Sequence, residues 1–304
     1  MFAKDGFSAQ RVKIGALFFS IAIAIWIVWR LAPGRSFPSP ERDKLAPTGS
    51  PKQVSEIHIE TAGDVPYVLA TICGEQLWLC VDTGGNVSHL PDRFLSRLQI
   101  KETNSVSDVA GQRKSYLAKP IDILIDGHEL RNFEATIFGG YTSTNPGAKW
   151  NVDAPTLGIN ALSSYRIVLD GAHGTMSLLD DSSPPTEETW VPFEGILGSI
   201  HQIISATTAN GKTVRVFLDS GLSFSRASKS MLAHEGDKTI SINVGGNSIV
   251  ATPKEILDGP ERVVEFLDGT EKKRVEMDCA LGWDFLKHCR FEISFKYRKL
   301  RIQP

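Results

Sequence analysis

Two tripeptides in this chain carry the residues for acid–base chemistry: Asp82-Thr83-Gly84 and Asp219-Ser220-Gly221. Each follows an apolar run, LWLCV before the first and VRVFL before the second. An aspartate that emerges at the end of a buried strand is costly to ionise without partners, and the glycine allows a tight turn out of the strand. Either tripeptide alone is an ordinary turn signal. Two carboxyl groups within hydrogen-bond distance are another matter, because they cannot both ionise and must share a proton. The ionised member can take a proton from a water molecule while the protonated member donates to a carbonyl oxygen. Such a pair needs no metal, nucleophilic side chain or cofactor, and none is expected. The seven histidines form no HExxH or clustered set, and the four cysteines have no CxxC spacing.

The elements that must position these residues occur twice. YVLATICGEQLWLCVDTGGNVS reads as strand, turn, strand and Asp-Thr-Gly loop, and HQIISATTANGKTVRVFLDSGLSFS repeats that order up to Asp-Ser-Gly. Both halves also close alike, TLGINALSSYRIVLDGAHGTMSLL against ALGWDFLKHCRFEISFKYRKLRI. Each closing unit reads as an apolar residue, a glycine, a short helix and a two-stranded hairpin. Short alternating segments separated by turn residues make the rest an all-β domain, with short helices expected at 91–99 and 226–233. Polar residues around Pro184-Pro185 mark a boundary near 181–190. The reading is lobe 1 over 54–181 and lobe 2 over 187–304, with a pseudo-twofold axis bringing Asp82 and Asp219 together.

The pattern of two apolar residues and Asp-Thr/Ser-Gly, followed later by an apolar-Gly element, resembles the aspartic peptidases of the pepsin and retropepsin type. The resemblance covers roughly residues 54–304. CVDTG with TLGINAL, and FLDSG with ALGWDFL, each look like one retropepsin subunit. Both in one chain are similar to the bilobed pepsin arrangement, so no dimer is needed for the catalytic unit. The resemblance implies a two-lobed β fold and hydrolysis of polypeptides by an Asp82/Asp219 dyad. It further implies that Thr83 and Ser220 bond across the interface, and that Gly84 and Gly221 shape the loops. Gly158 and Gly282 belong to the elements backing those loops. It also implies a flap in lobe 1. VSDVAGQRKSYL at 106–117 is the candidate, with Ala110-Gly111 at the tip and Tyr116 as a flap aromatic or a plain strand residue. Gly85 and Leu222 stand where the family usually carries Ala, Ser or Thr. The alternatives are a pepsin-fold peptide-binding ectodomain with weak or no turnover, and a β-rich scaffold with incidental triplets.

Upstream, every residue from Ile14 to Trp29 is apolar or small except Ser20. Lys13 and Arg30 can snorkel, and Trp26 and Trp29 suit a headgroup level, so 14–32 reads as a single transmembrane anchor. A cleaved export signal suits the same start, but WRLAPGRS offers no small-x-small site. Residues 1–13 are then cytoplasmic, 33–53 a Pro-rich linker or a propeptide, and the large domain extracytoplasmic, in a periplasm or outside the cell.

Lys plus Arg number 33 against 35 Asp plus Glu, so no basic excess argues for a nucleic-acid partner. The basic run in FKYRKLRI reads as the solvated face of an edge strand. Cys73, Cys80, Cys279 and Cys289 allow three disulfide pairings or none.

Overall fold

The structure is a computed structural model that describes residues 53–61, 64–85, 87–108, 111–139, 155–194, 202–234, 236–267 and 270–304. The anchor at 14–32 and nearly all of the linker lie outside them. Among the described residues, no helix is long and apolar enough to cross a membrane.

The described residues are almost wholly β, and the two lobes follow one plan. In lobe 1, strands Tyr67–Ile72 and Glu75–Val81 form a hairpin. Strand Thr156–Leu157 lies parallel to the second arm, pairing Leu157 with Val81. In lobe 2, Ile203–Thr208 and Thr213–Leu218 form the matching hairpin, and Cys279–Leu281 lies parallel beside it with Leu281 against Leu218. Alternation explains the burial. In YVLATI every second side chain, Val68, Ala70 and Ile72, enters the core. Cys73 and Gly74 both have positive φ, 50° and 77°, as a two-residue primed turn requires. The two-residue turn is therefore Cys73-Gly74, between the paired Ile72 and Glu75.

The closing units come together in one antiparallel sheet. Hairpin Tyr165–Asp170/Thr175–Asp180 of lobe 1 joins hairpin Arg290–Ser294/Lys299–Gln303 of lobe 2 through the pairing of Ile167 with Ile293. Strand Gln53–His58 flanks this sheet on the side of lobe 1, and Val191–Glu194 flanks it on the other. Residues 181–190 cross between lobes without a strand.

Three sequence expectations change. Lys299–Gln303 is an interior strand, paired on both sides, because Val191 and Pro192 pair with Leu300 and Lys299. The helix expected at 226–233 is a strand, Arg226–Ser228, followed by a single 3-10 turn, Lys229–Met231. Arg226 and Ala227 are taken into the sheet by Ala280 and Cys279, and the Ser228 hydroxyl caps the turn by accepting the Ser230 N–H at 3.2 Å. The helix at 91–99 shrinks to the 3-10 turn Asp92–Phe94.

Candidate active site

Asp82 and Asp219 each stand one residue beyond a buried strand end, Val81 and Leu218. The parallel neighbour holds each one in place. The Asp82 N–H donates to the Leu157 carbonyl at 3.0 Å, and the Asp219 N–H donates to the Leu281 carbonyl at 3.1 Å. The two carboxyl groups hydrogen-bond to each other. Asp82 Oδ1 also accepts the N–H groups of Gly84 at 3.0 Å and Gly85 at 2.7 Å, while Asp219 Oδ1 accepts the Gly221 N–H at 2.8 Å.

Thr83 and Ser220 tie the loops across the lobe boundary. The Thr83 N–H donates to Ser220 Oγ at 3.0 Å and the Ser220 N–H donates to Thr83 Oγ1 at 3.1 Å. Ser220 Oγ in turn donates to the Val81 carbonyl at 2.6 Å. Both residues are fully buried, so these bonds have no competition from water. The next residue must be glycine on each side. A Cβ on Gly84 would lie 2.3 Å from the Asp219 carboxyl carbon, and one on Gly221 would lie 2.6 Å from Asp82 Oδ1.

Burial dominates the electrostatics of both acids. Burial pushes the Asp82 carboxyl up, and the N–H groups of Gly85 and Gly84 together with the Asp219 hydrogen bond pull it back. Asp219 goes well above the ordinary carboxylate range, first through burial and then through the adjacent Asp82 charge. Both acids therefore hold a proton more readily than an exposed carboxylate does.

A second layer holds the loops, and the sequence reading did not single it out. In lobe 1 the Ser88 N–H and Oγ both donate to Asn160 Oδ1 at 2.9 Å, and Ser88 Oγ accepts the Gly158 N–H at 3.0 Å. In lobe 2 the Ser225 N–H and Oγ donate to Asp284 Oδ1 at 2.8 and 2.6 Å, and Ser225 Oγ accepts the Gly282 N–H at 3.0 Å. Gly158 and Gly282 each start a one-turn helix, Ile159–Leu162 and Trp283–Leu286. A Cβ there would meet backbone, at 2.6 Å from Val87 and 2.5 Å from Leu222. The signal was available: each serine follows its aspartate by the same spacing, and Asn160 and Asp284 each lie two residues past the glycine.

Strands Ile100–Asp108 and Gly111–Ala118 form a hairpin whose last pair is Asp108 with Gly111. Ala110 lies outside the described residues. Tyr116 is well down the second arm, paired with Thr103 and Ile137 and packed against the core. All four cysteines are free, Cys73 exposed and the others buried. Cys80 sits one residue before Val81, and burial followed by the charges of Asp82 and Asp219 raises its thiol pKa strongly. Among the described residues, no group of three or more His, Cys, Asp or Glu side chains is placed to hold a metal.

The architecture is similar to that of the aspartic proteinase from Irpex lacteus, with a TM-score of 0.53 and 10% sequence identity over 82% of this chain and 96% of that one. No family model matches the sequence, and no curated protein does. At that identity the likeness establishes the two-lobed pepsin-like fold and nothing finer.

Proposed function

We propose that this chain is an aspartic endopeptidase whose Asp82/Asp219 pair activates water against the peptide bond. The observation that carries the reading is the hydrogen-bonded pair of buried carboxyl groups, one from each lobe, with unequal environments. Asp82 takes a proton from a water held between the acids, and the oxygen attacks the scissile carbonyl carbon. Asp219 delivers its proton to the carbonyl oxygen, which gives a tetrahedral diol. Collapse breaks the C–N bond, the leaving amine takes up a proton, and the dyad returns to one shared proton. The pair must hold one proton and not two, so turnover belongs in the acidic range. Thr83, Ser220, Gly84 and Gly221 keep the acids in register, Gly158 and Gly282 back the loops, and the 100–118 hairpin closes over an extended polypeptide as the flap.

The reading extends to 14–32 as a single-pass anchor with the catalytic lobes extracytoplasmic. A tether of about twenty residues has a mean reach of roughly 25 Å, so the preferred substrates are proteins cut close to the bilayer. The test is hydrolysis of a peptide library by the full chain, with and without a pepstatin-type transition-state inhibitor. Inhibitable cleavage supports the proposal. An inhibitor that binds a chain without turnover would assign the peptide-binding alternative.

A further inference from the structure

One face of the lobe 1 sheet differs from its counterpart in lobe 2. Alternation along Tyr67–Ile72, Glu75–Val81 and Ile121–Ile125 leaves Leu69, Trp78 and Leu124 on the outer side, 39%, 47% and 44% exposed. These residues are neighbours. Leu69 lies directly opposite Trp78, and Leu124 lies opposite Thr71, the next outward residue from Leu69. Among the described residues, Val250 is the only other large apolar side chain so exposed, and it stands by itself in lobe 2 opposite Ser241.

The repeated plan of the lobes supplies an internal control. Counting back from each aspartate, the register that pairs Leu69 with Trp78 pairs Ser205 with Arg215 in lobe 2. The position that Leu124 takes opposite Thr71 belongs to Asn243 opposite Thr207. The fold is therefore built equally well with three polar residues at these places, and packing does not account for the apolar set. Apolar clusters that folding does not require mark contact surfaces. Two flanking acids are matched: Glu75 binds Arg93 at 2.7 Å and Arg97, and Glu129 accepts from Arg131 at 2.6 Å.

The chain upstream of Gln53 indicates what covers this face. On the anchor reading, on which this inference rests, the tether reaches roughly 25 Å. A folded unit of about 250 residues has a radius of gyration of about 18 Å. A domain held so closely must turn one face to the bilayer. The tether enters the fold at Gln53, opposite Leu179, and the strand it feeds runs to this flank, where His58 donates its N–H to Asp126 Oδ2 at 3.4 Å. Asp126 belongs to the turn that follows the Leu124 strand.

We propose that the Leu69–Trp78–Leu124 face docks on the interfacial layer of the bilayer, with the Trp78 indole at headgroup level. Trp78 lies four residues before Asp82, which stands just beyond the end of the same strand, roughly 13 Å along it. Docking thus fixes the paired acids close to the membrane and selects substrate segments just emerging from it.

The test uses the full chain in phosphatidylcholine vesicles. Cys73, the exposed cysteine of the four, carries an environment-sensitive fluorophore two residues past Thr71. Quenching lipids should quench the probe and shift its emission to the blue, independently of salt. Both effects should be lost in a Leu69→Ser/Trp78→Arg/Leu124→Asn chain, which takes the residues lobe 2 carries and so keeps its fold. A wild-type probe that lipids do not quench, or equal quenching in the variant, overturns the proposal. A dimer in detergent that the variant abolishes, without lipid quenching, gives the face to a second copy and overturns it too. Vesicle flotation separates the causes: a chain that floats unquenched keeps the anchor and loses the docking, and a chain that does not float loses both. Peptide hydrolysis, measured alongside, reports on the peptidase reading independently.

Discussion

Asp82 and Asp219 occupy equivalent places at the ends of matching strands, and burial raises both carboxyls above the ordinary carboxylate range. A carboxyl raised in the folded state binds protons that the unfolded chain has already lost, so stability falls as pH rises through its titration. Asp219→Asn removes that dependence. The variant should be more stable than the parent at neutral pH by a margin that closes in acid, as read by thermal unfolding across pH. A margin independent of pH would contradict a raised Asp219 carboxyl. Ser220 is the matching case for a neutral group. Ser220→Ala leaves the buried Thr83 N–H without its acceptor and should cost about 1–3 kcal/mol in denaturant unfolding. The aspartates and their Thr and Ser neighbours were legible because each motif follows an apolar strand. Their raised acidity constants were not, since these depend on burial and on N–H groups oriented only by the folded loop.

The one-turn helices and the loop serines act together as braces. Ser225 Oγ links the Gly282 N–H to Asp284, so Ser225→Ala strands a buried donor behind the Asp219 loop. It should destabilise by about 1–3 kcal/mol and reduce kcat more than KM, because the loop aims an acid and does not bind substrate. Equal loss in KM alone would assign Ser225 to substrate binding. At this scale the sequence was read well where local chemistry decides, as in the apolar-Gly-helix-hairpin units. It was read less well where partners decide. The FKYRKLRI run looked like an edge strand because its charges alternate, but Val191 and Pro192 cover that edge. Arg301 pairs there with Glu292 at 2.9 Å and with Glu187.

The two lobes behave as one molecule through the sheet that pairs Tyr165–Asp170 with Arg290–Ser294. Beneath it, buried Arg166 donates to Asp181 at 3.2 Å, and Ser294 of the other lobe donates to Asp181 at 2.7 Å. Burial raises the Asp181 carboxyl despite these partners. Arg166→Met therefore leaves a buried acid short of its cation and should cost about 3–5 kcal/mol, measured by equilibrium unfolding. The repeat in the sequence made the bilobed plan legible, but not the sheet that joins the halves, whose pairing is set by contacts more than a hundred residues apart. That joint matters because each lobe supplies only one acid. The decisive measurement is peptide hydrolysis across pH by the full chain and by its Asp82→Asn form. The parent should cleave in the acidic range, while the variant, folded and equally abundant, should show no cleavage at any pH. Turnover retained by Asp82→Asn would contradict the dyad outright.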